Sequence, residues 1–121
     1  LRSLSINLRN NAMDASAAYH LSAPTPSESV SSISFNFEGG NLGIWGCKFL
    51  STFSSAAHLR SVTLNLSRNQ IGDSGAEHLS HFKTAPGLTA LRLVLWCNFI
   101  GDEGAFSLAE LRHTPSLGTL V

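Results

Sequence analysis

The feature that most constrains this chain is a step of twenty-nine residues: Leu1, Val30, Leu59, Leu88 and Leu117 each open the same apolar pattern. The first unit reads Leu1, Leu4, Ile6, Leu8, and the second Val30, Ile33, Phe35, Phe37. The third gives Leu59, Val62, Leu64, Leu66, and the fourth Leu88, Leu91, Leu93, Leu95. No insertion or deletion breaks the register, so the chain divides into units 1–29, 30–58, 59–87 and 88–116 and a partial unit 117–121. A fixed period of this size is the mark of a stacked array, because one such unit cannot enclose a core by itself.

The rhythm changes halfway through each unit. The opening part alternates apolar and polar with period two, which predicts a half-buried strand. Asparagine follows at Asn11, Asn69 and Asn98, and two residues later comes Met13, Ile71 or Ile100. Units three and four then carry Gly72-Asp73-x-Gly75-Ala76 and Gly101-Asp102-x-Gly104-Ala105. Aspartate accepts hydrogen bonds from orphan amides at a helix start, so Asp73 and Asp102 are expected to cap their own helices. Gly75, Ala76, Leu79 and Phe82 form one apolar helical stripe, as do Gly104, Ala105, Leu108 and Leu111. Pro86 and Pro115 end the helices before the next strand.

Stacked units would pair their strands in a parallel sheet and enclose the leucines beneath the helices. Strands lie about 4.8 Å apart and helices are wider, so the stack must curve with its strands on the concave side. Each buried Leu, Ile or Phe contributes roughly 1.5–3 kcal/mol. Ordering the backbone costs about 1–2 kcal/mol per residue, so several units are needed together.

The pattern Leu59-x-x-Val62-x-Leu64-x-Leu66-x-x-Asn69-x-Ile71 resembles the leucine-rich-repeat signature. The period and the helix that follows it are most similar to the ribonuclease-inhibitor-like class, and the resemblance covers essentially the whole chain. It implies an α/β leucine-rich-repeat solenoid and an internal ladder in which Asn11, Asn69 and Asn98 bond the backbone of neighbouring turns. The chain departs from the usual pattern by one extra x-Leu step before the asparagine, which predicts a strand two residues longer. Units one and two are degenerate. Ala15 and Ile44 stand where the capping Asp is expected, Gly40 replaces the Asn with Asn41 beside it, and Pro24 and Pro26 should shorten the first helix.

Eight basic residues balance eight acidic ones, and neither sign forms a run. Nothing predicts electrostatic capture of nucleic acid or of an anionic membrane. No apolar stretch approaches the length of a spanning helix. The glycines of Gly39-Gly40-Asn41-Leu42-Gly43-Ile44-Trp45-Gly46 lack the order of a nucleotide-binding loop, and Gly43 and Gly46 fall on the columns of Gly72 and Gly75. No small-molecule ligand or cofactor is expected. Of the histidines His20, His58, His78, His81 and His113, only His78 and His81 share a helical face. A zinc site wants three or four converging ligands, so no metal is expected. Serines are frequent, no triad is singled out by spacing, and no catalytic residue is expected. Cys47 and Cys97 lie two units apart, near 10 Å by strand spacing alone, and a disulfide is geometrically excluded. Two free thiols point to the reducing cytoplasm. The sequon Asn65-Leu66-Ser67 sits in a column with Asn7 and Asn36, which suggests a structural role for that asparagine. Leu1 falls in mid-pattern and no capping unit is legible, so the chain reads as a segment of a longer array, marginally stable and prone to associate alone.

The outward positions form columns across the sheet. They are Ser3, Ser32, Ser61, Ala90; then Ser5, Ser34, Thr63, Arg92; then Asn7, Asn36, Asn65, Val94; and last Arg9, Glu38, Ser67, Trp96. Three units present small polar groups, and the fourth breaks the pattern with Arg92, Val94 and Trp96. Trp and Arg dominate interface energetics. The expected function is therefore binding of a protein partner on the concave face, with Arg92, Val94 and Trp96 as anchors and Arg9, Glu38 and Arg68 as secondary contacts. The resemblance also implies alternatives: a regulatory module such as an enzyme inhibitor, a GTPase-activating segment or a sensor, or a spacer within a larger protein.

Overall fold

The computed structural model describes residues 2–7, 9, 10, 30–115 and 117–120. Asn11, Met13, Ala15, Pro24 and Pro26 lie outside the described residues, as do Leu1 and Leu8. Five parallel strands, β1 (Arg2–Asn7), β2 (Val30–Asn36), β3 (Ser61–Asn65), β4 (Ala90–Val94) and β5 (Thr119–Leu120), stand side by side in chain order. Between them run helices α1 (Gly43–Ser51), α2 (Gly72–Leu79) and α3 (Asp102–Ala109).

The register follows the period. Phe35 lies opposite Leu64 and Leu64 opposite Leu93, so partners differ by the repeat length. Ser32, Ser61 and Ala90 line up in the same way. One irregularity falls between Arg2 and Ser3. Alternation then sends Val62 and Leu64 into the core, while Ser61, Thr63 and Asn65 stay half-buried on the other face. The backbone pairing runs past the regular strands: Leu66 N–H donates to Val94 O at 2.9 Å and Arg68 N–H to Trp96 O at 3.1 Å. The extra x-Leu step thus extends the inter-unit hydrogen bonding, although the regular strands end at Asn65 and Val94.

Small residues at the first helical turn let each helix lie against the segment leading into it. A β-carbon at Gly46 would collide with the Leu42 side chain, and one at Gly75 with Ile71. Each helix tightens into a 3-10 turn, Thr52–Ser55, Ser80–Thr84 or Glu110–His113. Phe53, Phe82 and Leu111 are buried there. Ala85 and Thr114, each just before a proline, turn extended with ψ of 119° and 124°. Ala56 does the same with ψ 115° before Ala57, so the return to the sheet does not depend on the proline.

The interior is one continuous cluster from Val30 to Leu111. Unit two fills its share with aromatic rings, Phe35 lying 5.5 Å from Phe37 and 5.6 Å from Phe53 between centroids. The core weakens toward both ends. Leu4 is exposed and Ile6 half-buried, so unit one's strand does not bury its apolar set as the pattern predicts. At the other end Ala105 is exposed and Leu108 half-buried, where the helical stripe predicts burial. The reason is geometric: among the described residues only the two-residue β5 pairs with the far side of β4.

Two hydrogen-bond devices join the units, and the first of them recurs. Asn69 Oδ1 accepts from the amides of Gly40 at 3.0 Å and Leu42 at 2.9 Å, and its Nδ2 donates to Phe37 O and Ser67 O. Asn98 repeats the arrangement one unit on, accepting from the amides of Asn69 and Ile71 and donating to Leu66 O. The aspartates work differently from the expectation. Neither α2 nor α3 has a side-chain cap on its own N-terminus. Asp73 Oδ1 instead accepts from the amides of Gly101 at 2.7 Å and Gly104 at 3.0 Å, at the head of the next unit's helix. Parallel stacking places the Asp73 carboxylate beside its neighbour's free amides.

Candidate functional site

The turn after each strand is built on left-handed residues that recur with the period. Asn10, Gly39, Arg68 and Cys97 form one such column, with φ between 57° and 68°. Asn41, Gln70 and Phe99 form a second. Ahead of the first column, Asn7, Asn36 and Asn65 each accept a hydrogen bond from the amide two residues on, at Arg9, Glu38 and Ser67. This side chain–backbone turn fixes the column and explains Asn65 without glycosylation. In unit four Val94 stands in the asparagine's place, so no such bond forms to Trp96.

The structure brings Arg68 and Trp96 together. The guanidinium carbon of Arg68 lies 5.0 Å from the Trp96 ring centroid, a cation–π distance. Trp96 nevertheless keeps 49% of its surface exposed. Arg92 is exposed and Val94 half-buried on the same strand face. Arg9 and Glu38 form a separate pair, Nε to Oε2 3.5 Å, with Glu38 the less exposed of the two. Ser67, expected to point outward between them and Trp96, is fully buried, and its hydroxyl has no hydrogen-bond partner.

Sequence reasoning missed three exposed aromatics. Trp45 on α1 is 60% exposed with Lys48 Nζ 5.4 Å from its ring centroid, and Phe99 and Phe106 are 85% and 73% exposed. The signal was present in the columns. Trp45 aligns with Ser74 and Glu103, Phe99 with Asn41 and Gln70, and Phe106 with Lys48 and Glu77, so each is an apolar residue in a polar column.

His78 and His81 do meet, ring centroids 5.8 Å apart. Burial, then the charge of His81, and Lys48 beyond it, hold His78 below its ordinary pKa, against an opposing pull from Glu77. No group of three or more potential metal ligands occurs among the described residues. Cys47 is buried and Cys97 exposed, both as free thiols, and burial pushes the Cys47 thiol up to about 12. No helix among the described residues is long and apolar enough to cross a membrane.

A profile of the leucine-rich-repeat family matches residues 58–80 and 88–109. Units three and four are leucine-rich repeats. The parallel sheet and the asparagine ladder of the described residues have the architecture of an α/β leucine-rich-repeat solenoid. No curated protein matches the sequence. Leucine-rich repeats generally mediate protein–protein interaction and are typically non-enzymatic. In such a solenoid the strands form the concave face, and the Arg68–Trp96 stack sits at its edge.

Proposed function

We propose that this solenoid is a non-catalytic module that binds a protein partner on its concave sheet, in the manner of the ribonuclease-inhibitor-like repeats. Trp96, Val94 and Arg92 are the anchors, with Arg68 joined to them and Arg9 and Glu38 at the margin. One observation carries the reading. Trp96 is a large ring stacked against Arg68 and yet half open to solvent. A ring that already has a stacking partner has less conformational freedom to lose on binding, and Trp and Arg are among the residues enriched where binding energy concentrates. A spacer has no need of it. A regulatory role in a larger protein would use the same face. Two free thiols support placement in a reducing compartment such as the cytoplasm.

The test is to recover a partner by cross-linking and map its footprint by hydrogen–deuterium exchange. Protection should fall on β4 and the turn after it, and Trp96→Ala should weaken binding by about 2 kcal/mol while leaving the circular dichroism unchanged. Protection confined to α1, α2 and α3 would refute the proposal.

A further inference from the structure

The two faces of the solenoid carry different charge. Among the described residues, the helical side carries five carboxylates, Asp73 and Glu77 on α2, Asp102 and Glu103 on α3 and Glu110 on the 3-10 turn that follows, against three cations, Lys48, Lys83 and Arg112. Glu38 is the one described carboxylate at the sheet, and Arg9 engages it at 3.5 Å. Arg68 and Arg92 stand at the sheet as well, and among the described residues neither forms an ion pair. A chain with no net charge therefore presents a sheet whose uncompensated groups are guanidinium ions.

Their spacing defines a shape. Arg92 lies on β4 and Trp96 two residues past its end, about 13 Å away for an extended backbone, with Val94 between them and Arg68 stacked over Trp96. Guanidinium groups pair with carboxylates through two parallel hydrogen bonds. We infer that the partner presents an extended acidic peptide segment: one carboxylate for Arg92, a second beyond it at the Trp96 end for Arg68, and an apolar side chain between them on Val94 and Trp96. A nucleic acid fits less well. Its charges recur every few ångströms along a strand and call for a continuous row of cations, whereas here an apolar residue separates two. The inference rests on the sheet being the binding face, and the experiment separates the two claims.

Short random peptides displayed on phage are panned against the chain, then against its Trp96→Ala variant. The Trp96-dependent sequences should carry two Asp or Glu residues on either side of an apolar one. A synthetic peptide of that kind should bind about tenfold more weakly to Arg92→Glu and to Arg68→Glu, and no differently to Lys83→Glu on the helical side. Its affinity should fall as salt rises. Trp96-dependent peptides that are neutral or basic would overturn the acidic assignment and leave the binding face standing. Peptides that bind the Trp96→Ala variant equally well would overturn both. Recovery of no peptide, or tight binding of single-stranded DNA in place of peptide, would likewise overturn the acidic assignment.

Discussion

Asp73 holds Gly101 across a unit boundary: the carboxylate of one helix's first turn accepts the amide that opens the next helix, at 2.7 Å. The same oxygen takes the Gly104 amide. A carboxylate there meets both the unpaired amides and the positive end of α3. The bond couples neighbouring units where a conventional cap would steady only its own helix.

Asp73→Ala should therefore cost about 1–2 kcal/mol, and the loss should localise. Hydrogen exchange should speed up at the start of α3 more than in α2, which contains the mutation. Faster exchange confined to α2 would show that Asp73 serves its own helix after all.

The asparagines should matter more. Asn69 satisfies four buried backbone groups, the amides of Gly40 and Leu42 and the carbonyls of Phe37 and Ser67. Asn69→Ala strips a bond from each, but the Gly40 amide keeps Phe37 O and Ser67 O keeps the Gly39 amide, so the Leu42 amide is the group left without a partner in the core, at roughly 1–3 kcal/mol. We expect a loss of about 2–3 kcal/mol in urea denaturation, one orphaned amide plus three weakened groups. Asn69→Asp keeps the acceptor but sets a carboxylate against the two carbonyls, so it should not restore stability. A loss under about 1 kcal/mol for Asn69→Ala would mean that water replaces the side chain.

How far the fold was legible follows from the repeat. Parallel pairing at one period fixes that Phe35, Leu64 and Leu93 share a row, and any sequence with an unbroken step shows this. The ladder role of Asn69 was readable through the resemblance to leucine-rich repeats, since the period alone places the residue without assigning its bonds. The direction of Asp73 was not, because a carboxylate in a first turn can reach its own amides or its neighbour's, and only the offset between stacked helices decides. Ser67 was misjudged because alternation stops where the chain turns: Arg68 takes φ 60°, and period two no longer assigns faces there. At the candidate site the break in unit four's columns singled out Trp96, Val94 and Arg92 as candidates. The stacking of Arg68 on Trp96 lay between two columns and could not be read from either.

Ser67 supplies a prediction of the opposite sign. Its hydroxyl is buried without a partner, and an unpaired buried hydroxyl is a desolvation cost with no return. Ser67→Ala removes the cost and leaves the backbone bonds to Gly39 and Asn69 in place. Thermal unfolding should be unchanged or shifted upward, by up to about 1 kcal/mol in stability. A destabilisation of that size would mean that the hydroxyl has a partner in solution.

The two thiols should differ sharply in reactivity. Cys47 lies in the core with its thiol pushed up to about 12, so at pH 8 almost none of it is thiolate, the form that reacts. Cys97 is exposed in the turn after Trp96. Ellman's reagent at pH 8 should titrate one thiol in the folded protein and two in urea. Raising the pH toward 10 should not expose the second, since burial limits access as well as ionisation. Because Cys97 adjoins Trp96, an acidic peptide seated on the sheet should slow its reaction and leave the urea value of two unchanged. Rapid reaction of both thiols in the folded protein would show that unit two opens readily, and that the phenylalanine cluster around Phe35 and Phe53 does not close the interior.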